Sequence, residues 1–371
     1  MEAVILAAGK GKRIKLFCRK KPKPLIRIVD RPILDYIIEA LIANGINRIV
    51  FVLGHMRKAL IDFIKVKSKD VGFKFDICVQ KNLLGTGHAL KTARFKVKSE
   101  KFLVIYGDLY FDPVVIKNLL IASDKGKFDS YVVLTKKRDV EQYGLVEVNR
   151  NSVKKIVEKP KEKRTGLINT GIYLFSRKVF DELDKVSLSE RGEYELTDAL
   201  SLMASKGLVG FVKIPSNKWI DIGRPWDILD ACRLELKRRP YKFINKAGFR
   251  AIPPVHIDPT AKIGDGCLVG PYACVEERVR IGGGCIIRNT IVMRESVIGE
   301  GSKLLYSIIG ERCTLGSHVS TKIKLEKPIK IKIEEREIVV EKRKIGAFIG
   351  DCSIIPDFKE LSPAQMIFGS S

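Results

Sequence analysis

Residues Val4 to Ala8 form an uninterrupted apolar run that stops at Gly9. A run that short, bounded by glycine, predicts a buried strand. From Pro32 to Asn44 the pattern changes: Ile33, Leu34, Ile37, Ile38, Leu41 and Ile42 recur at helical spacing, with proline in the first turn and Gly45 closing the helix. The alternation continues with strands at Arg48–Leu53, Phe73–Gln80, Phe102–Tyr106 and Ser130–Thr135, and helices at His55–Lys67, His88–Phe95 and Pro113–Ala122. Three further strands are expected around Tyr143–Glu147, Ile156–Pro160 and Leu167–Tyr173, and Glu195-Leu196-Thr197-Asp198 opens another helix. Strands alternating with helices predict an α/β fold built on a doubly wound, largely parallel sheet. Such sheets bind ligands beyond the carboxyl ends of their strands.

The C-terminal third has a different period. Aliphatics recur about every six residues at Ile263, Val269, Val275, Ile281 and Ile287. After an irregular stretch near Met293 they resume at Ile298, Leu304, Ile309 and Leu315. This is the hexapeptide pattern of a left-handed parallel β-helix. Two residues before each inward aliphatic there is room only for a small side chain, at Ala261, Cys267, Ala273, Val279, Cys285, Ser302, Ser307 and Cys313. Residues 321–344 break the period with an alternating pattern such as Ile329-Lys330-Ile331-Lys332-Ile333, which predicts a protruding strand pair. The expected organisation is a first domain over 1–236, a basic linker over 237–252, a β-helix over 253–356 and a tail over 357–371. A coil cannot stand alone and requires stacking. Related helices often trimerise, so a homo-oligomer formed through the coil, a trimer or a multiple, is expected.

Charge and cysteine content narrow the classes. The chain has 371 residues and a formal charge of +25. Its lysines are mixed with glutamates except near the first loop and at Lys237-Arg238-Arg239, and no helix-turn-helix or zinc-finger pattern is present. Anionic small substrates therefore explain the charge better than nucleic acid does. None of the eight cysteines forms a Cys-x-x-Cys pair. A zinc site or disulfide framework is not expected, and three of the cysteines read as coil spacers. No run is long enough for a membrane span, the first residues lack a signal-peptide pattern, and a cytoplasmic location is expected.

The candidate chemistry begins at the first glycines. Gly9 and Gly11 follow a strand, and nine Lys or Arg residues with no acid lie between Lys10 and Arg27. Backbone N–H groups at such a turn can face phosphates while Arg13 and Lys23 neutralise them; the glycine pair alone also fits a plain turn. Gln80 precedes Gly85-Thr86 in a second strand-to-helix loop. Its amide can donate to a pyrimidine carbonyl and accept from the ring N3–H. His88 reads as a helix-start residue. Asp108 ends the strand Phe102–Gly107 at a position suited to Mg²⁺, although a lone aspartate there also fits a turn.

Together these residues resemble the sugar-1-phosphate nucleotidyltransferases, or nucleotide-sugar pyrophosphorylases. The run from Leu6 to Pro24 follows that family's Leu-Ala-(Ala/Gly)-Gly-x-Gly-x-Arg…Pro-Lys-Pro signature, with Leu16 and Cys18 replacing its usual proline and threonine. The resemblance implies nucleotide contacts at Leu6, Ala7, Ala8, Gly9, Gly11, Gln80, Gly85 and Thr86. It places uracil or thymine under Gln80 and makes Arg13 and Lys23 catalytic. It pairs Asp108 with Asp221 of Trp219-Ile220-Asp221-Ile222-Gly223 as Mg²⁺ ligands. It also implies a sugar pocket in which Gly144 lets the ring lie on the backbone, Glu158 and Asn169 bind hydroxyls, Lys159 holds the sugar phosphate, and Thr197 is a further contact or a helix cap. The expected reaction joins UTP or dTTP to glucose-1-phosphate or N-acetylglucosamine-1-phosphate. The whole chain resembles archaeal enzymes that add an amino-sugar acetyltransferase. Their acetyl-CoA coils, however, would fall beyond Ile355, and no histidine stands near Lys303-Leu304-Leu305-Tyr306. The coil is therefore expected to be structural. The remaining alternatives are a non-catalytic exchange-factor-like subunit and the bifunctional enzyme.

Overall fold

The structure, a computed structural model, describes all residues except 139, 161–163, 241–244, 247, 334–335 and 370–371. Its contacts divide the chain into two compact units. The first comprises Met1–Lys10, Pro22–Leu25 and Pro32–Asp221; the second comprises Gly11–Lys21, Ile26–Arg31 and Ile222–Ser371. The division falls at Asp221, earlier than the expected boundary at residue 236, and two N-terminal segments belong with the C-terminal unit.

The first unit is built on a nine-stranded sheet. In chain order its strands are β1 (Glu2–Ala7), β2 (Arg48–Leu53), β3 (Lys74–Val79) and β4 (Lys101–Tyr106). The short β5 (Leu109–Phe111) lies outside it, followed by β6 (Ser130–Lys137), β7 (Gly144–Asn149), β8 (Ser152–Glu158), β9 (Gly166–Ser176) and β10 (Val209–Ile214). The spatial order is β3-β2-β1-β4-β9-β6-β10-β8-β7. The first four strands are parallel, as the strand–helix alternation requires. Beyond β4 the sheet is mixed: β9 runs antiparallel to β4 and β6, and β7 and β8 form an antiparallel pair. β1 is buried along its full length. Its neighbours β2 and β4 are nearly so, which explains why all three read as continuous apolar runs.

Helices α1 (Ile33–Ile42), α2 (Arg57–Val71), α3 (Gly85–Thr92), α4 (Val114–Asp124), α5 (Lys178–Leu183) and α6 (Leu196–Ser205) belong to the same unit. The expected helices are present with shifted ends. α3 starts three residues before His88, because Gly85 adopts a φ of +93° that lets the backbone turn into the helix. Glu195 holds the N-cap position of α6 without a side-chain capping bond, so Thr197 lies inside the first turn rather than at the cap.

In the second unit the hexapeptide pattern becomes three parallel ribbons of short strands. Along one ribbon Ile257, Val275, Val292, Ile309, Ile349 and Ile367 stack in successive rungs. Val292, in the stretch that read as irregular, is an inward core residue, because that rung is one residue shorter than the one before it. Residues 357–371 are not simply a tail: Glu360–Leu361 and Met366–Ile367 add two more coil strands. Ile349, Ile355, Leu361 and Ile367 keep the six-residue spacing to the end. The predicted strand pair is the hairpin Ile329–Ile333 with Arg336–Val340. The eight cysteines are free thiols. The Cys267, Cys285 and Cys313 thiols donate to carbonyls of the next rung, at Gly282, Gly299 and Gly350, 3.0–3.2 Å away. The spacer position therefore favours a side chain that is both small and a donor. Each buried aliphatic contributes about 1.5–3 kcal/mol, against about 1–2 kcal/mol per residue for ordering the backbone. Its few inward aliphatics leave a single rung well short of that cost, and only the stack is stable.

The two N-terminal segments of this unit are held by charge. Lys21 pairs with Glu311 and Arg27 with Glu277. Asp30 accepts from Arg239 at 2.6 and 2.8 Å, and the Leu16 carbonyl accepts from the Asp351 N–H at 3.3 Å. Arg239 follows helix α7 (Pro225–Arg238). The expected linker at 237–252 lies partly outside the described residues.

Candidate active site

At the carboxyl ends of the parallel strands the backbone is crowded. A Cβ on Gly54, just after β2, would meet the Ala8 carbonyl at 2.7 Å, and one on Gly107, just after β4, would meet the Ala7 Cβ at 2.8 Å. The Leu6 and Ala8 carbonyls are already engaged by the Gly107 and His55 N–H groups. Leu6, Ala7 and Ala8 thus form a packed floor. Gly9 differs: it is exposed, and a Cβ there would meet nothing within 4 Å. Gly11 has a φ of +63° and begins the 3₁₀ turn Lys12–Phe17, which contains Arg13. Gly11 and Arg13 belong to the second unit.

Two of the predicted charged groups meet directly. Lys23, 8% exposed, lies 2.5 Å from an Asp108 carboxylate oxygen. The Asp108 side chain keeps about a third of its surface, 32%, open to solvent. Asp221 ends β11 (Trp219–Asp221), which pairs antiparallel with β5 so that Asp221 stands opposite Leu109, the residue after Asp108. Two aspartates 113 positions apart are thus brought to neighbouring positions on paired strands. Trp219 anchors this arrangement: its ring N–H donates to the Thr170 carbonyl at 3.0 Å, and Lys218 pairs with Asp112 at 2.6 Å.

The second cluster lies on β7, β8 and β9. Gly144 stands opposite Glu158 in the β7–β8 register, and a Cβ on Gly144 would meet the Glu158 Oε2 at 3.0 Å and the Asn169 Cβ at 3.5 Å. The three predicted sugar contacts are therefore together. Burial raises the Glu158 carboxyl above its ordinary range, opposed by the nearby Lys159 and Arg191 charges. Asn169 is largely committed within the protein: its Nδ2 donates to the Tyr173 hydroxyl at 2.6 Å and its Oδ1 accepts from the Gly171 N–H at 3.0 Å. The Thr197 hydroxyl is buried near Glu158 without a closed hydrogen bond. Lys159 adopts a φ of +46° after the β8 strand, and its N–H donates to the Tyr143 carbonyl at 3.0 Å.

The Gln80 loop is closed from both sides. Gln80 Nε2 donates to the Gly85 carbonyl and approaches His88 Nδ1, both at 3.0 Å. These contacts use both amide hydrogens, so the donor expected to meet a pyrimidine carbonyl is engaged and only the amide oxygen remains to accept. Burial, reinforced by the Lys91 charge, lowers the His88 pKa, so the neutral ring can accept from Gln80. Thr86 is likewise engaged: its hydroxyl oxygen accepts from the Leu196 N–H at 3.1 Å. A Cβ on Gly85 would meet the Tyr194 carbonyl at 2.7 Å, which fixes this loop against the start of α6.

Comparison with known proteins identifies the family. The nucleotidyl transferase model matches residues 2–238, and a GMPPB C-terminal domain model matches residues 251–357. The chain belongs to the nucleotidyl transferase family. A "bifunctional sugar-1-phosphate nucleotidylyltransferase/acetyltransferase" of Sulfurisphaera tokodaii is 32% identical over 94% of this chain and 90% of its own length. A putative glucose-1-phosphate thymidylyltransferase from Bacillus anthracis superposes with a TM-score of 0.59 at 27% identity, over 65% of this chain and 97% of that one. A UDP-glucose pyrophosphorylase with UDP-glucose bound superposes with a TM-score of 0.57 at 25% identity, over 64% of this chain and all of the other.

Sequence reading did not single out two side chains that neighbour the predicted residues. His88, taken for a helix-start residue, holds Gln80. Arg191 lies close enough to influence Glu158 and pairs with Glu195 at 2.8 Å. The only signal for Arg191 was its position just before Glu195-Leu196-Thr197-Asp198. The carboxylates fit a hard divalent ion. Mg²⁺ takes one or two carboxylates and completes its shell with phosphate oxygens and water. The described residues contain no group of three metal-binding side chains that would make a protein-only cage. No described helix is long and apolar enough to cross a membrane.

Proposed function

We propose that the protein transfers the nucleotidyl group of UTP or dTTP to a sugar 1-phosphate, glucose-1-phosphate or N-acetylglucosamine-1-phosphate, and releases pyrophosphate. The observation that carries this reading is the meeting of Lys23 with Asp108 beside Asp221 at the mouth of the sheet, in the same unit as the Gly144–Glu158–Asn169 cluster. A phosphate oxygen of the sugar phosphate forms a bond to the α-phosphorus, and the bond from that phosphorus to the bridging oxygen of pyrophosphate breaks. The protein's task is positioning and charge stabilisation. Asp108 and Asp221 would hold Mg²⁺, which supplies neutralisation of phosphate charge when bound. Lys23 is a preplaced cation for the triphosphate, and Arg13 is the second cation of the first loop. The Gln80 amide oxygen accepts from the N3–H of uracil or thymine, a donor that adenine lacks at the equivalent edge. Glu158 and Thr197 meet sugar hydroxyls, and Lys159 holds the sugar phosphate. The coil is read as structural and as the contact through which the chain forms a homo-oligomer, to be checked by light scattering.

The test is pyrophosphate release across four triphosphates and several sugar phosphates with Mg²⁺. Release is expected only with UTP or dTTP. Triphosphate binding without release under any pairing would refute the proposal in favour of a non-catalytic role.

A further inference from the structure

On the second unit, α7, the coil corners and the segment after the hairpin line a solvent-open cleft. Its floor is a ladder. Tyr272, Asn289 and Tyr306 occupy the same corner of successive rungs, 17 residues apart, with φ of +57°, +50° and +51°. Asparagine suits the left-handed region, whereas tyrosine enters it at a cost. Both rings carry a cation. The Arg233 guanidinium sits 5.0 Å from the Tyr272 centroid and 5.9 Å from that of Tyr306, and Lys237 lies 5.8 Å from Tyr272.

The charge in this cleft is unbalanced. Asp230 is the one lining acid among the described residues, and Lys342 already occupies both of its carboxylate oxygens, at 2.8 and 2.6 Å. Lys344 lines the same cleft and has no acidic partner among the described residues. Arg233 gives one terminal nitrogen to the Asn289 amide oxygen, and its other N–H groups meet no acceptor among the described residues. An aromatic floor thus holds a planar fork of donors open beside an unneutralised ammonium. Guanidinium and ammonium groups arranged this way suit a phosphoryl oxygen set.

We propose that this cleft is an anion site, separate from the carboxylates and sugar cluster of the first unit, which takes a small phosphoryl anion through Arg233 and Lys344. Inorganic phosphate, pyrophosphate and a phosphate monoester share the required chemistry. Pyrophosphate, with two phosphoryl groups for two cations, is expected to bind most tightly.

The test is thermal unfolding of the full chain, titrated with phosphate, pyrophosphate or glucose-1-phosphate at constant ionic strength. The variants are Arg233→Met, Lys344→Met and, as a control for the first unit, Lys23→Met. Losing one charge-assisted contact is expected to raise the half-saturating phosphate concentration about tenfold or more, while Lys23→Met leaves it within about twofold of the wild-type value. The proposal is overturned by any of three results: no phosphate-dependent shift in the wild type, wild-type saturation in Lys344→Met, or loss of the response in Lys23→Met alone. Lys344→Met reports even if Arg233→Met does not fold, since the Lys344 side chain has no partner to lose among the described residues.

Discussion

Replacing Lys23 with methionine separates the chemical role of this residue from its structural one. Its side chain is 9% exposed and its ammonium lies 2.5 Å from Asp108. Methionine keeps most of the buried stem and removes only the charge. The partner left behind is not stranded, because Asp108 retains 32% of its surface in water. The cost to folding should therefore lie between that of an exposed pair and that of a fully buried one, about 1–2 kcal/mol. For a unit of this size that lowers the melting temperature by a few degrees, at about 2–4 °C per kcal/mol. The cost to catalysis should be larger. A preplaced cation acting on charge that develops in the transition state is worth about 3–4 kcal/mol by analogy with single oxyanion donors, or about 10²–10³ in kcat. The assay is single-turnover pyrophosphate release with UTP and glucose-1-phosphate, run beside a melting curve. A variant that melts a few degrees lower but turns over within threefold of wild type would make Lys23 a structural counter-ion and remove the central element of the proposal.

Three further outcomes are expected. The His88 pKa is lowered by burial and by Lys91, so the ring is neutral at pH 7 and accepts from Gln80; as pH falls through that lowered value, protonation removes the acceptor, and KM for UTP should rise on the acid side in the wild type but not in His88→Phe. Gly144→Ala places a methyl group 3.0 Å from the Glu158 carboxylate, so KM for the sugar phosphate should rise while KM for UTP and the melting temperature stay near wild type; equal changes in both KM values would contradict a sugar-specific role. Glu276 is 4% exposed and burial holds its carboxyl up to about 7. A raised carboxylate pKa means the folded chain keeps its proton longer, so stability falls as pH rises from about 4.5 through 7, and Glu276→Gln should flatten that slope in a pH series of denaturant midpoints.

The motifs of the candidate site stand out in the sequence because each is local. A strand that ends on glycine, a glutamine before Gly85-Thr86 and an aspartate after Gly107 are all statements about a few adjacent residues. The six-residue period of the coil is equally local, and its continuation through Ile355, Leu361 and Ile367 was present in the sequence even where a tail was expected. Val292 was hidden because a rung one residue shorter shifts the phase of the pattern without changing its chemistry.

Other features exist only once the chain has folded. No spacing rule pairs Asp108 with Asp221; the β5–β11 register does. Sequence indicates that Gln80 has an amide but not that its hydrogens are already used by Gly85 and His88, because hydrogen-bond saturation depends on where neighbouring backbone lies. The membership of Gly11–Lys21 in the C-terminal unit shows only in long-range contacts, such as that of Lys21 with Glu311, 290 residues apart along the chain. Local sequence determines which groups are available and what backbone each can adopt. Packing over long separations determines which of those groups remain free to act, since burial and partner geometry are properties of the whole fold.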